Sequence, residues 1–333
     1  MRFLSEADTE RLVDWGSAVR CMADAYLDDS PAGAIPGRLI ASAATAWIRC
    51  LPAIPARGRY LGTKQITRTA RGRLTYLITL VDRETGALAF ILDAVALTAV
   101  RTAATSVAAL AMLRGAPAMD LAILGSGLEA HKHLEALAAS MRIRTLRIYS
   151  PTEANRERFA AESAAKLGLS ALDARATATA REAVEGASHV IAAARSRGEQ
   201  PILHGDWLAA DAIVVSIGST IPVQREVDVS VIERAALIVA DVPEEVVHDT
   251  GDMMVAAKAG IEFESKLFSL HDLAQGRVPA ARLDSGVRLF KSVGSALQDI
   301  ALAESVAGRA LQSGAGTDLG VDLKVKQSIG RNA

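Results

Sequence analysis

The feature that most constrains the fold is a glycine-rich turn, Gly125-Ser126-Gly127-Leu128-Glu129-Ala130, which follows an apolar run and opens a helical segment. The first glycine permits a tight bend, the second lets the backbone approach a ligand closely, and the small last residue lets helix and strand pack. The helix N-terminus adds amide donors and positive partial charge. The pattern predicts that Gly125, Ser126, Gly127 and Leu128 bind the pyrophosphate of a dinucleotide. The alternative is a strand–helix turn without a ligand.

The chain beyond residue 117 alternates between strand-like and helix-like segments. Helical segments occur notably at 130–139 and 153–167. This alternation predicts an α/β Rossmann domain with a doubly wound parallel sheet. The short apolar runs that are typical of its buried parallel strands lie at 121–124, 145–149, 189–193, 213–217 and 237–240.

The first third of the chain has a different pattern. Ser5 to Asp8 predicts a capping box that opens a helix extending to about Met22. Residues 82–86 predict a hairpin turn, and Thr98 is the expected N-cap of a helix at 98–113. Together with short runs between proline and glycine turns, this predicts a mainly antiparallel sheet in an α+β arrangement. Those runs lie at 45–51, 61–66 and 75–81.

Charge and composition argue against several partner classes. With 37 Lys and Arg against 38 Asp and Glu, the formal net charge is −1, which gives no field to attract nucleic acid or an anionic membrane. The longest apolar stretch, 88–100, is too short and too charged to span a bilayer. The histidines match no metal spacing, and His131 and His133 are expected at the surface. Cys21 and Cys50 fit two thiols in a reducing compartment better than one disulfide, so we expect a soluble, cytoplasmic protein without a metal site.

The end of the second parallel strand bears on the choice of dinucleotide. An NAD site usually has an acidic residue there, which bonds the ribose hydroxyls. This chain has Tyr149-Ser150-Pro151-Thr152 instead, with Arg156 and Arg158 nearby. Hydroxyls of Ser150 and Thr152 with Arg156 suit a 2′-phosphate, which favours NADP(H) over NAD(H). The alternative for the two arginines is a solvated helix face.

Four further sequence segments, called the family strings and given at the end of this paragraph, carry a family resemblance. Together with the glycine-rich turn, and in the order in which they occur along the chain, they resemble the ornithine cyclodeaminase/mu-crystallin family across essentially the whole chain. The family includes cyclodeaminases, ketimine reductases, amino-acid dehydrogenases and a hormone-binding crystallin, so membership does not settle the reaction. The strings are Gly62-Thr63-Lys64, Ala99-Val100-Arg101-Thr102-Ala103-Ala104-Thr105-Ser106, the segment from Gly218-Ser219 to Arg225-Glu226-Val227-Asp228, and Phe290-Lys291-Ser292-Val293-Gly294-Ser295-Ala296-Leu297-Gln298-Asp299.

The resemblance implies a split architecture. Residues 1–115 with 306–333 form a substrate-binding and dimerisation domain, and residues 116–305 form a dinucleotide-binding domain inserted into it. It also implies a homodimer that forms through the sheet of the first domain. The antiparallel pattern before residue 115 and the parallel pattern after it agree with this division.

The resemblance also implies roles for individual residues. Lys64 and Arg101 clamp the α-carboxylate of a small substrate, and Arg38 is the third cation. Ser219, Ser292 and Gly294 belong to the cofactor site, with Ser292 to Gly294 closing around the nicotinamide. Residues 195–196 stand where the family contacts the cofactor. Without the resemblance, each cation would be interpreted as a surface charge.

Two departures from the family pattern bear on the reaction. Cyclodeaminases have an Asp at the position of Thr220, and a hydroxyl cannot act as a carboxylate base near neutral pH. They have a Glu in the early sheet, where this chain has Arg49. Arg49 either faces the substrate, which would allow a second acid group, or points outward. We therefore expect NAD(P)H-dependent reduction of a small α-imino acid, or the reverse dehydrogenation, with Thr220 near the nitrogen. The alternatives are an ornithine or lysine cyclodeaminase and a non-catalytic binding protein.

Overall fold

The structure is a computed structural model that describes residues 1–115, 118–167, 172–194 and 200–326. The helices in these residues are α1 (Glu6–Leu12), α2 (Trp15–Ala25), α3 (Val95–Met112), α4 (Leu128–Ser140), α5 (Glu153–Lys166), α6 (Ala180–Val184), α7 (Val229–Arg234), α8 (Pro243–Asp249), α9 (Gly251–Lys258), α10 (Leu270–Ala274), α11 (Ala280–Asp284) and α12 (Ala296–Ser313). The strands are β1 (Arg2–Leu4), β2 (Leu39–Ser42), β3 (Trp47–Ala53), β4 (Tyr60–Arg68), β5 (Leu74–Asp82), β6 (Leu88–Asp93), β7 (Ala118–Leu124), β8 (Arg142–Tyr149), β9 (Asp173–Ala176), β10 (His189–Ala192), β11 (Ile213–Ser216), β12 (Ala235–Ala240), β13 (Leu267–Ser269), β14 (Val287–Lys291) and β15 (Thr317–Asp318).

The chain divides into two compact units. The first unit comprises residues 1–14, 29–101 and 296–333, and the second comprises 15–28 and 102–295. These boundaries differ from the expected ones near 115 and 305. Three helices account for the difference. Most of α3 belongs to the second unit, and α2 belongs to it as well because α2 contacts α4. Helix α12 belongs to the first unit, where it contacts β3, β4 and β5.

The first unit contains a seven-stranded sheet in the order β15-β1-β6-β5-β4-β3-β2. The pairings are antiparallel apart from β1 with β6. The predicted hairpin turn at 82–86 is present: Oδ1 of Asp82 accepts the N–H groups of Glu84 and Thr85, and Gly86 has a φ of 71°. A positive φ is accessible to glycine without a steric penalty, which explains the residue at this position.

The second unit contains an eight-stranded sheet in the order β13-β12-β14-β11-β10-β7-β8-β9. All its pairings are parallel, and β10 and β11 are buried along their whole length. Helices connect most neighbouring strands, as a parallel sheet requires. The fold class predicted from the sequence, a Rossmann sheet combined with a mainly antiparallel α+β region, is confirmed.

Three local predictions are wrong. The first helix ends at Leu12, because Val13 is extended, and a separate helix starts at Trp15. Helix α3 begins at Val95, and Thr98 lies inside it with its hydroxyl donating to the carbonyl of Ala94 at 2.6 Å. His133 is fully buried, where its Nε2 lies 3.0 Å from the hydroxyl of Ser106.

Helix α3 is a long apolar helix of 18 residues. It is long and apolar enough to cross a membrane by length and composition alone, but 78% of that window is buried inside the protein. Such burial is typical of the core helix of a soluble protein.

Candidate functional site

The glycine-rich turn joins β7 to α4 in the second unit. The N–H of Gly125 donates to the carbonyl of Tyr149 at 2.8 Å, and Gly125 has a φ of 128°. A Cβ at this position would lie 2.5 Å from the carbonyl oxygen of Ala193. Conformation and space therefore both require glycine here, and the turn passes directly beside the end of β10.

Gly127 has a different role, because it borders open space. It is the N-cap of α4, no side chain caps the helix there, and a Cβ on Gly127 would meet nothing within 4 Å. The first-turn amides of a helix lack intrahelical acceptors and carry positive partial charge. The completely buried Ala130 lets α4 pack closely against the sheet. A phosphate can therefore approach the start of α4 without displacing a side chain.

A cavity of about 650 Å³ opens at this turn. Its volume lies within the range of ordinary small-molecule sites, roughly 300–1,000 Å³. The position fits the rule that open parallel sheets bind ligands at the carboxyl ends of their strands. The lining residues are Leu124, Gly125, Ser126, Gly127, Tyr149, Ser150, Pro151, Thr152, Asn155, Ala193, Ala194, Gln200, Pro201 and Ile202. This lining fits a dinucleotide. Leu128, the fourth residue of the predicted phosphate turn, is 48% exposed at the start of α4.

The end of β8 presents hydroxyls to this cavity. Ser126 and Ser150 are hydrogen-bonded through their hydroxyls at 2.9 Å, and Thr152 also lines the cavity. The guanidinium of Arg156 donates to the carbonyl of Ser150 at 3.2 Å. Arg158 donates to the side-chain amide oxygen of Asn155 at 3.1 Å. Arg156 is thus anchored directly behind a cavity residue.

A second turn, after β14, is organised by the buried carboxylate of Asp241. Its Oδ2 accepts the hydroxyl of Ser292 at 2.6 Å and the N–H of Gly294 at 2.8 Å, and its Oδ1 accepts the N–H of Val293 at 3.0 Å. Gly294 has a φ of 81°. One side chain therefore holds the whole segment for which the family resemblance implies a position at the nicotinamide. Sequence reasoning missed Asp241, since a lone Asp after an apolar run gives no distinctive signal.

The turn after β11 contains Ser219 and Thr220. Ser219 is buried, and its hydroxyl donates to the carbonyl of Gln224 at 2.5 Å. Thr220 is half-buried, and its N–H contacts the side-chain oxygen of Gln224 at 3.4 Å. Both residues follow the carboxyl end of a central strand. Residues 195–196, expected at the cofactor, lie outside the described residues.

In the first unit, Lys64 and Arg101 are brought together by Asp299. Nζ of Lys64 and Nε of Arg101 each lie 3.0 Å from Oδ1 of Asp299, and Arg101 also donates to Oε1 of Gln298 at 2.9 Å. Lys64 is only 1% exposed, Arg101 8% and Asp299 1%. We call Lys64, Arg101 and Asp299 the cation-rich cluster. Gln298 and Asp299 end the last of the family strings, but their types alone did not indicate that they hold the two cations.

Sheet register decides which way Arg49 faces. Leu51 pairs with Lys64, and Arg49 pairs with Ile66 two residues along each strand. Directly paired residues share a face of a sheet and alternate residues return to it, so Arg49 lies on the same face as Lys64. Its guanidinium lies over the ring of Trp47, 5.4 Å from the centroid. The outward alternative is wrong. Arg38 is half-buried immediately before β2, the strand that pairs with β3.

Comparison with known proteins gives a consistent result. The model of the ornithine cyclodeaminase/mu-crystallin family matches residues 38–314. Ketimine reductase mu-crystallin of Mus musculus is 30% identical, over 77% of this chain and 78% of the relative. The Delta(1)-pyrroline-2-carboxylate/Delta(1)-piperideine-2-carboxylate reductase of Azospirillum brasilense is 29% identical, over 89% of this chain and 91% of the relative.

A solved structure matches almost the whole fold. Delta(1)-pyrroline-2-carboxylate reductase of Thermococcus litoralis, in complex with NADH and L-proline, has a TM-score of 0.84 and 25% sequence identity. The match covers 96% of this chain and 100% of that one. The fold is therefore shared over nearly all of this chain.

Proposed function

This chain belongs to the ornithine cyclodeaminase/mu-crystallin family, and from that premise we propose that it reduces a small α-imino acid to an α-amino acid with NAD(P)H. The observation that carries the proposal is the cation-rich cluster. Two buried cations converge on one carboxylate oxygen there, an arrangement that suits the carboxylate of a small substrate. The reductase names of the mouse and Azospirillum relatives support the same reaction class.

The cluster suits a substrate carboxylate for a physical reason. A guanidinium offers a planar fork, a lysine ammonium adds a compact charge, and each charge-assisted hydrogen bond contributes about 1.5–3 kcal/mol. Asp299 and Gln298 hold both cations in place before substrate arrives, so less orientation entropy is lost on binding. Arg38 supplies a third positive charge in this proposal.

The bound dinucleotide supplies the hydride for the imine carbon. Lys64 and Arg101 hold the carboxylate next to that carbon, and the hydroxyl of Thr220 donates a hydrogen bond to the nitrogen. A threonine does not ionise to a base near neutral pH, which disfavours ornithine cyclisation with loss of ammonia. The reverse reaction, oxidation of the amino acid, uses the same contacts.

We propose NADP(H) as the preferred cofactor. Ser150 and Thr152 line the cavity, Arg156 is anchored behind them, and β8 ends without a carboxylate. We expect Arg156→Ala to raise the Kd of NADPH about tenfold and to leave the Kd of NADH unchanged, because one charge-assisted contact to the 2′-phosphate is lost. Arg158→Ala on the same helix is the matched control. Equal Kd values for the two cofactors in the unaltered protein would contradict the preference.

The position of Arg49 bears on which imino acids the protein accepts. Arg49 on β3 and Lys64 on the neighbouring strand β4 lie on the same face of the sheet in diagonal positions. Residues in such positions are roughly 7–8 Å apart. We propose that Arg49 receives a second acid group, so that imino diacids are accepted alongside cyclic imino monoacids. Arg49→Gln should then lower kcat/KM for iminosuccinate, formed from oxaloacetate and ammonia, and spare Delta(1)-pyrroline-2-carboxylate. Equal losses on both substrates would argue against this role.

We also propose that the protein is a homodimer in the cytoplasm. All four residues of β2 are exposed at the sheet edge, Leu39 by 66% and Ile40 by 54%, and exposed apolar edges mark association surfaces. Neither cysteine forms a disulfide, in keeping with a reducing compartment. Leu39→Lys should convert a dimer to a monomer in size-exclusion chromatography with light scattering. A monomeric unaltered protein would refute the dimer.

The decisive experiment is a substrate panel. We expect oxidation of NADPH with Delta(1)-pyrroline-2-carboxylate and Delta(1)-piperideine-2-carboxylate. Release of ammonia from ornithine with catalytic NAD would favour a cyclodeaminase instead. Tight NADPH binding without turnover of any imine would favour a binding protein.

A further inference from the structure

A second buried cluster lies beneath the turns that follow β10 and β11. It comprises Glu226, Lys291 and Asp252, each 0% exposed, and we call it the carboxylate-rich cluster. Nζ of Lys291 lies 2.8 Å from Oδ2 of Asp252 and 2.9 Å from the hydroxyl of Ser216. Oδ1 of Asp252 accepts the N–H of Glu226 at 2.7 Å. The three charged groups therefore form one connected network.

Within this network, Glu226 bonds the backbone of two separate turns. Its Oε1 accepts the N–H of Ala194 at 3.0 Å, just beyond β10. Its Oε2 accepts the N–H of Gly218 and the hydroxyl of Ser216, both at 2.7 Å, at the end of β11. Ala194 lines the cavity assigned to the dinucleotide, together with its neighbour Ala193. One side chain thus fixes the wall of the cavity and the turn that leads to Thr220.

Close packing shows that this arrangement leaves little freedom. A Cβ on Gly218 would lie 2.2 Å from Oε1 of Glu226 and 2.6 Å from the carbonyl oxygen of Ala194. The two turns and the carboxylate are therefore in contact with one another. Any movement of the carboxylate must move the backbone that borders the cavity.

We infer that Glu226 is a positioning residue for the dinucleotide: its carboxylate holds Ala194, just beyond β10, and the turn after β11 in the positions that the cofactor requires. This inference rests on the proposed function. Glu226 is itself buried and acts through the backbone groups that it accepts hydrogen bonds from.

Protonation of Glu226 gives the inference a distinctive readout. Burial raises the pKa of Glu226 to about 7, an effect that Asp252 strengthens and that Lys291, Ser216 and the N–H of Gly218 oppose. The ionised carboxylate accepts all three hydrogens at once. The protonated group has an O–H on one oxygen, which makes that oxygen a poorer acceptor for the hydrogen bonds it received. Cofactor binding should therefore weaken as the pH falls through 7.

The test compares Glu226→Gln with the unaltered full-length chain. We expect the Kd of NADH, measured by fluorescence at pH 8, to rise about tenfold, because a neutral amide cannot replace the charge-assisted acceptors. In the unaltered chain the Kd should rise between pH 8 and pH 6, and in the variant it should stay flat. NADH is the probe because the 2′-phosphate of NADPH titrates near pH 6. In the ligand-free variant, amide exchange should accelerate at Ala194 and Gly218 and stay unchanged in β7.

A matched control exists in the first unit. Glu304 also accepts two backbone N–H groups, those of Arg59 at 2.6 Å and Tyr60 at 3.4 Å. Glu304→Gln should speed exchange at those amides and leave the Kd of NADH unaltered. If Glu226→Gln does not fold, Ser216→Ala removes one partner of the carboxylate and should give a smaller change in the same direction.

The possible results separate the two proposals. If the unaltered chain binds no dinucleotide, the proposed function fails and this inference fails with it. If the unaltered chain binds NADH and Glu226→Gln binds it equally well at every pH, the inference alone is overturned. A raised Kd without faster exchange at Ala194 and Gly218 also overturns it.

Discussion

The two buried clusters differ in the balance of their charges. The cation-rich cluster has Lys64 and Arg101 on one oxygen of Asp299, whereas the carboxylate-rich cluster has Lys291 between Asp252 and Glu226. In the first, two cations converge on a single carboxylate oxygen. In the second, burial raises the pKa of Glu226 to about 7, so that its carboxyl group gains or loses a proton near neutral pH. Two converging cations suit an anionic ligand, whereas the carboxylate of Glu226 joins two segments of the backbone.

The largest expected effect is on stability, through loss of the shared carboxylate of the first cluster. Asp299→Ala should lower the free energy of unfolding by about 3–5 kcal/mol, since two buried cations lose their counterion. Asp252→Ala should cost less, because Glu226 can ionise and compensate Lys291. Urea unfolding of both variants measures the difference. Equal losses would show that the clusters do not differ as described.

The next effect concerns catalysis. Lys64→Met should lower kcat/KM for imino acids about 100-fold, because the carboxylate loses a charge-assisted bond and its orientation. The Kd of NADPH should stay unchanged. Lys258→Met, at an exposed position on α9, is the control. Undiminished turnover in Lys64→Met would remove the carboxylate clamp from the proposed mechanism.

A third effect is specific to the carboxylate-rich cluster and depends on pH. The pKa of Glu226 is raised from 4.5 to about 7 in the folded chain, so between these values the folded state holds a proton that the unfolded state has lost. Its contribution to stability is therefore present at low pH and is lost as the pH rises from about 4.5 to 7. Glu226→Gln should remove this component from the pH dependence of urea unfolding. An identical profile in the variant would place the titration elsewhere.

The smallest effect separates charge from geometry in the cation-rich cluster. Arg101→Lys keeps the charge but loses the fork that reaches Gln298, 2.9 Å away. We expect kcat/KM to fall about tenfold, less than for Lys64→Met. A loss as large as that of Lys64→Met would mean that the planar fork, and not the charge, is what the substrate requires.

The sequence predicted the features that depend on local pattern. The glycine-rich turn, the parallel strands β7, β8, β10, β11 and β12 and the hairpin at 82–86 follow from periodicity and turn chemistry. Strand β14 was not among the predicted strands, because Arg288 and Lys291 interrupt its apolar run. Both charges are buried: one terminal nitrogen of Arg288 donates to backbone carbonyls such as that of Leu113, and Lys291 pairs with Asp252. A charge that is neutralised by a distant residue leaves no signal in its own segment.

Prediction of the candidate site from the sequence has the same limit, because residues with distant partners leave no local pattern. The sequence singled out Lys64, Arg101 and the residues of the cavity, because family strings and the glycine turn mark them. It did not indicate Asp299 or Asp241, whose importance comes from partners far away in the chain. His133 was expected at the surface for a similar reason, since its partner Ser106 lies on another helix.

The continuity of α3 has a consequence for protein engineering. The boundary between the units falls between Arg101 and Thr102, in the middle of a helix that runs from Val95 to Met112. A chimaera that exchanges only residues 102–295 for those of a relative would join two half-helices of different sequence. Modular recombination in this fold should therefore transfer the helix whole, with the upstream junction at Ala94 and the downstream junction after Ser295.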